Sequence, residues 1–293
     1  MALSAVVDVG SNTARLLVSR ATEAGPATAH TERVRLDLGH EIEKRGRISD
    51  MKLARAARAV RALCTQARTA GARSVEVVVT APGRQAENGH QLLAALVHAA
   101  QAPVRVLSPQ EEARLAFAGA VGRAPRPPRV VAVVDLGGAS TEIAIGRPET
   151  GPAWLRSVDL GALRLTSRFL DASSRERRDA EAARRAAREA FAGITPPLPS
   201  GALVVGGSAR ALRKVVGPHL GPHELAEAER ILEAHSPKQI KRRYGVGKHR
   251  ARQLLAAALI LSEVQRRLFV PLELTDGGLR EGVVLAAIER AAA

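Results

Sequence analysis

The sequence predicts an α/β chain of two similar halves, and three observations carry that reading. The stretch AVVDVGSNTARLLVS at residues 5–19 is echoed by AVVDLGGASTEIAIG at residues 132–146, each an apolar run ending in Asp, an apolar residue, Gly and a small polar cluster. Strand-like and helix-like periodicities alternate along the chain. Between the halves lies GRAPRPPR at residues 122–129, three prolines in eight residues, which reads as a linker. The expected domains are therefore 1–122 and 123–293, with the C-terminal helix free to pack back on the first.

Taken in order, SAVVDVG and RLLVSRA form a hairpin, and residues 50–70 repeat apolar residues at helical spacing until Gly71 stops them. SVEVVVT is a buried strand, followed by a helix over residues 87–100, a short strand VRVLS and a helix over residues 109–119. After the linker the order restarts with a strand, a glycine turn, strand TEIAIG, a strand at residues 154–159, a polar helix, strand ALVVGG, and helices to the end. Two such halves, each opening with a hairpin, would place two phosphate-sized turns across one cleft.

At 293 residues and 46% hydrophobic content the chain can fill two cores. Its longest apolar stretches, such as residues 254–261, fall short of the ~20 needed to span a bilayer. No charged-then-apolar leader pattern opens it, so a soluble cytoplasmic protein without membrane contact is expected. Cys64 sits in a helical pattern and reads as packing. His219 and His223 are four apart, but Pro218 and Pro222 interrupt the helix a metal pair would need, so both read as loop residues.

The net charge of +15 asks for a polyanion. Only six of the 44 basic residues are Lys, an Arg bias that genome composition also produces, and residues 175–189 mix signs like a solvated helix. The concentrated run is KQIKRRYGVGKHRAR at residues 238–252, either a contact for phosphate or a solvated face. Aromatics at 2% leave little for base stacking, so no stable nucleic-acid complex is expected.

The residue types of the two turns suggest phosphate chemistry. Gly10, Gly137 and Gly138 let backbone N–H groups approach an anion, and Ser11, Thr13, Ser140 and Thr141 add hydroxyls. Asp8, Asp135 and Glu142 would repel phosphate unless a divalent cation or an attacking water lies between. Either turn alone is more often an ordinary hairpin. The pair, with a third glycine turn at Gly206, Gly207 and Ser208 that follows a strand and opens a helix, is stronger.

These segments resemble the exopolyphosphatase and guanosine pentaphosphate phosphatase family, within the superfold of actin, sugar kinases and heat-shock chaperone ATPases. DVGSNTARL resembles its first phosphate loop, VTAPGRQAENG its arginine segment, LSPQEEARLAF its catalytic glutamate segment and DLGGASTEIAIG its second phosphate loop. DLGALRLTSRF, VVGGSARAL and TDGGLREGVV follow in the same order, so the resemblance runs nearly end to end. It implies two actin-like (ribonuclease H-like) α/β domains with a cleft between them. Ala139 stands where the family usually has a third glycine, and Thr13 replaces its usual Ser. The chain stops soon after the GGLREG segment, without the extra helical domains of longer members, which implies release of long chains between cuts.

The resemblance also implies roles. Glu112 would be the general base, with neighbouring Glu111 the alternative as a solvated helix-start carboxylate. Arg84 would contact phosphate. Asp135 and Glu142, with Asp8, would hold Mg²⁺ or another divalent cation or orient water. Gly10, Ser11, Asn12, Thr13 and Arg15 belong to the first loop, although Arg15 can equally be a structural partner of a carboxylate, and Arg280 with Glu281 reads as an ion pair. The implied activity is removal of terminal orthophosphate from inorganic polyphosphate. Hydrolysis of guanosine pentaphosphate and a non-catalytic polyphosphate- or nucleotide-binding regulator are the alternatives, and the family suggests a homodimer.

Overall fold

The structure, a computed structural model, describes residues 3–22, 25–171 and 179–292. Residues 175–178 of the mixed-sign stretch lie outside the described residues. The chain divides into two compact units, one of Met1–Arg123 with Gly277–Ala293 and the other of Ala124–Asp276.

The first unit begins with β1 (Leu3–Val9), β2 (Thr13–Thr22) and β3 (Gly25–Arg35), an antiparallel meander. It continues through α1 (Leu38–Arg45), α2 (Asp50–Thr69), β4 (Ala72–Val79), α3 (Ala81–Gln85), α4 (Gly89–Ala100), β5 (Val104–Val106) and α5 (Pro109–Val121). The sheet order is β3-β2-β1-β4-β5, with β4 parallel to both β1 and β5. Both faces of β1 are buried, which is why its sequence is nearly continuous apolar residues. Ala5, Val7 and Val9 join the core under α2 and α4, whereas Val6 joins Leu17, Val78 and Leu107 on the opposite face.

Residues 122–130 contain no helix or strand. The second unit then repeats the plan with β6 (Val131–Leu136), β7 (Thr141–Arg147) and β8 (Gly151–Val158). After α6 (Ala162–Leu165), a π-helical turn at Thr166–Leu170 and α7 (Ala180–Phe191) come β9 (Gly201–Val205), α8 (Gly207–Val216) and β10 (His219–Leu220). α9 (Pro222–Ala234), α10 (Pro237–Tyr244), α11 (Lys248–Leu268) and β11 (Leu272–Leu274) complete it. The order β8-β7-β6-β9-β11 matches the first sheet strand for strand, with β10 added at the edge. Buried Leu254–Leu261 of α11 runs through the core of this unit.

The remaining helix, α12 (Leu279–Ala292), belongs to the first unit and covers the second face of its sheet with Leu279, Val283 and Val284. It lies against α5 at backbone distance. A Cβ on Gly119 would fall 1.9 Å from the Gly278 carbonyl oxygen, and one on Gly282 would fall 1.8 Å from that of Leu115. Gly277 and Gly282 of TDGGLREG are thus explained by their approach to the α5 backbone.

The histidine expectation is corrected. His219 pairs with Glu273 across β10 and β11, and its ring Nδ1 meets the Glu273 carboxylate. His223 is helical, because Pro222 occupies the first turn of α9, where its missing N–H costs nothing and its φ suits the helix. Cys64 is fully buried on α2, and burial pushes its thiol pKa up.

Candidate active site

The two glycine turns are the same structure built twice. In the first, Gly10 N–H donates to the Thr13 carbonyl at 3.0 Å; in the second, Gly137 N–H donates to the Ser140 carbonyl at 3.0 Å. Beside each turn lies a directly opposed cross-strand pair of charged residues, Asp8 with Arg15 and Asp135 with Glu142. Opposed residues share a sheet face. Arg15 and Glu142 therefore hold equivalent positions with opposite charge.

That difference separates the two turns electrostatically. Burial raises the Asp8 pKa and Glu281 adds to the rise, while the nearby Arg280 and Arg15 guanidiniums oppose it. Arg280 and Glu281 make no ion pair with each other among the described residues, correcting the sequence expectation; both instead act on Asp8 through space. The first turn is set by Leu36 and Asp37 N–H groups donating to the Asn12 carbonyl and by Gly39 N–H donating to that of Ser11. Arg15 Nε donates to Thr13 Oγ1 at 3.2 Å. Thr80, buried at the end of β4, approaches from the other side: a Cβ on Gly10 would lie 3.7 Å from its Oγ1.

The second turn is gripped by the segment that follows β8. Ala162 N–H donates to the Gly137 carbonyl, and Leu163 and Arg164 N–H groups both donate to that of Gly138. A Cβ on Gly161 would fall 2.5 Å from the Gly138 carbonyl carbon, so only glycine permits this seat. Ser140 and Ala139 are buried. Thr141, expected to offer its hydroxyl to a ligand, donates it to the Leu160 carbonyl at 2.6 Å and is structural. Glu142 is 1% exposed and accepts from Ser157 Oγ at 2.8 Å.

Asp135 and Glu142 suit a hard divalent ion. Magnesium takes one or two protein carboxylates and fills its other positions with water and phosphate oxygens. Two opposed carboxylates on one face meet that need, although no cluster of three or more His, Cys, Asp or Glu able to hold a metal exists among the described residues. Asp8 has Arg15, not a second carboxylate, directly opposite it.

The third glycine turn joins the second. Gly206 has φ +106°, and a Cβ there would lie 2.5 Å from the Leu136 carbonyl oxygen and 3.5 Å from Asp135 Oδ1. Gly207 opens α8, and buried Ser208 accepts from Arg250 Nη1 at 2.7 Å.

In the first unit, Arg84 on α3 and Glu112 on α5 meet. Arg84 Nη1 donates to Glu112 Oε2 at 2.9 Å and to the Leu107 carbonyl at 2.6 Å. Their side chains are 17% and 10% exposed. Glu111 points elsewhere. It closes a capping box with Ser108, accepting from its N–H and hydroxyl at 2.8 Å each, and pairs with Arg105 at 3.1 Å. Those hydrogen bonds, led by the Ser108 N–H, hold its pKa below the usual carboxylate value. A capping role thus falls to Glu111 and an inward one to Glu112.

Several supporting residues escaped the sequence reading. Gly161 carried a signal, since DLG at residues 159–161 repeats DLG at residues 135–137. Thr80 lies in the arginine segment and Arg250 in the basic run, but nothing in residue type or spacing marks their direction or that of Ser157.

The chain is similar to several known proteins. An uncharacterized protein, SCO0757, of Streptomyces coelicolor is 30% identical over 98% of this chain and 90% of its own. Exopolyphosphatase 2 of Mycobacterium tuberculosis is 34% identical over 63% of this chain and 60% of its own. The crystal structure of an exopolyphosphatase-like protein, 22% identical, covers all of this chain with 99% of its own at a TM-score of 0.89, which shows the fold, an actin-like α/β arrangement of two mixed sheets. The model of the Ppx/GppA phosphatase family matches residues 17–291, and the chain belongs to that family.

Proposed function

We propose that this protein is a metal-dependent exopolyphosphatase that hydrolyses the terminal phosphoanhydride of inorganic polyphosphate. The observation that carries this reading is the contact between Arg84 and Glu112. It sets a carboxylate able to take a proton from water beside a guanidinium able to hold phosphoryl oxygens. In this reading Gly10, Ser11, Asn12, Thr13 and Arg15 bind phosphate on the first loop, where Arg15 and Arg280 supply positive charge. Gly137, Gly138 and Ser140, with Gly206, Gly207 and Ser208, bind it on the second unit.

Asp135 and Glu142 would hold Mg²⁺, which supplies charge neutralisation of phosphate oxygens and orientation of water when bound. Little in the chain favours a nucleoside, since aromatic residues make up 2% of it. The exopolyphosphatase name of the mycobacterial relative supports the same substrate.

The test is orthophosphate release in the presence of Mg²⁺ from polyphosphate, guanosine pentaphosphate and ATP in separate reactions. Release from polyphosphate that Glu112→Gln abolishes supports the proposal. Release only from guanosine pentaphosphate reassigns the substrate, and binding of polyphosphate without turnover of any of the three makes the protein a regulator.

A further inference from the structure

The second unit carries a run of exposed cations on α10 that form no ion pair among the described residues. Residues 190–223 and 234–262 contain no Asp or Glu, yet they hold ten Lys and Arg, three in the first segment and seven in the second. Two contacts bring these segments together. Lys214 Nζ at the end of α8 donates to the Gly245 carbonyl beyond α10 at 3.1 Å, and Arg250 on α11 donates to Ser208 on α8.

α10 is built to hold its charges outward. Ser236 and Gln239 form its capping box, Gly245 in the left-handed region ends it, and Ile240 is its buried anchor. Lys238, Lys241, Arg242 and Arg243 are exposed, and among the described residues none of the four has a carboxylate partner. Cations in the last turn of a helix complement its dipole. That accounts for Lys241, Arg242 and Arg243, and for Arg213 in the last turn of α8, but not for Lys238 in the first turn of α10.

We infer that this face is an accessory track for a linear phosphate chain, leading along α8 and α10 from the glycine turn at Ser208. The ligand chemistry follows from what the face lacks as much as from what it carries. The single aromatic residue of residues 234–262, Tyr244, already has the Arg243 guanidinium over its ring at 5.5 Å, which leaves little for base stacking. Closely spaced charge without stacking suits a polymer that is all phosphate, whereas single-stranded nucleic acid draws affinity from stacking as well. The inference rests on the proposed polyphosphate activity for its substrate class, but it can be measured without turnover.

The test uses the full chain, wild type and Lys241→Gln/Arg242→Gln/Arg243→Gln, in equilibrium binding without divalent metal. The probes are long-chain polyphosphate, tripolyphosphate and a single-stranded RNA matched in charge to the long polyphosphate. For the triple variant, affinity for long polyphosphate should fall at least ~10-fold at low salt, and the slope of log affinity against log salt should become shallower by about two, while tripolyphosphate binding stays within ~2-fold.

Equal long-chain affinities and equal salt slopes for both proteins would overturn the track. So would RNA binding as tight as polyphosphate, which would make the face a nucleic-acid surface. Matching melting curves establish that the variant is folded. If wild-type protein releases no orthophosphate yet shows the binding difference, the enzyme reading fails and the track stands; normal release from tripolyphosphate with no binding difference gives the reverse.

Discussion

Arg84 and Glu112 lie 28 residues apart in sequence, yet one guanidinium nitrogen serves both the Glu112 carboxylate and the Leu107 carbonyl. The pair is largely withdrawn from water, so its members should fail differently when removed. Arg84→Ala takes the guanidinium away from a buried carboxylate, and breaking such a pair typically costs roughly 3–5 kcal/mol. Glu112→Gln keeps a hydrogen-bond acceptor and should cost far less. Turnover should nevertheless fall by ~10²-fold or more in Glu112→Gln, because basicity is gone. Thermal melts beside orthophosphate release check both; a Glu112→Gln protein with near-normal turnover would remove Glu112 from the base role.

Glu111 should show the opposite profile. Its folded-state pKa is lowered by the Ser108 hydrogen bonds, so its contribution to stability is present above the unfolded value and is lost as pH falls through the folded one. Glu111→Gln should therefore melt earlier than wild type near neutral pH. The gap should narrow as pH drops below the ordinary glutamate value of ~4.3. Activity per folded molecule should change little. Melting temperatures from pH 7 down to 3 for both proteins give the answer, and a gap that widens on acidification would contradict the cap assignment.

The charge difference between the two turns predicts different metal behaviour. Asp135→Asn and Glu142→Gln should each raise the Mg²⁺ concentration for half-maximal activity, about 10-fold or more, because a hard anionic donor is lost. Asp8→Asn should leave that requirement nearly unchanged, since Arg15 and Arg280 face it. Mg²⁺ titrations of the three variants decide the point. A shift for Asp8→Asn as large as for Asp135→Asn would place the cation at the first turn as well.

Gly161→Ala tests whether the second turn depends on its backbone seat. The new methyl would meet the Gly138 carbonyl carbon at 2.5 Å and the Ala139 nitrogen at 2.6 Å, and main-chain atoms cannot yield as a side-chain tip can. Overpacking of this kind costs about 1–3 kcal/mol. Melting should drop accordingly and KM should rise. Gly193→Ala, with nothing within 4 Å of its added Cβ, should match wild type in both measurements.

The parts of this molecule legible in sequence are those where residue type and period suffice. The Asp-x-Gly turns, the buried strands and α2 announce themselves because burial on fixed faces imposes a pattern. β3 does not: its residues 27–33 are exposed on the sheet edge, so GPATAHTERVR shows no apolar alternation. β10 and β11, of two and three residues, are too short to carry a period.

At the site, residue types were readable and directions were not. Thr141 has the hydroxyl a phosphate would want, but its strand position turns it toward Leu160. Arg280 and Glu281 are adjacent and opposite in charge, which suggests a pair until Asp8 is seen to be the group they act on. The match of Arg84 to Glu112 depends on tertiary packing of α3 against the start of α5, which no local spacing encodes.

The glycine contact between α5 and α12 has a bearing on how the chain is made. α12 belongs to the first unit, yet it is synthesised only after every residue of the second. A ribosome delivering this chain therefore exposes an unfinished sheet, with Val6, Leu17 and Val78 lacking their cover of Leu279, Val283 and Val284, while residues 124–276 emerge. The inserted unit has its own contacts complete by then, whereas the outer one does not. Glu112 rides on the helix that α12 braces, so a chain truncated before Gly282 is expected to lose the first unit's fold before the second's.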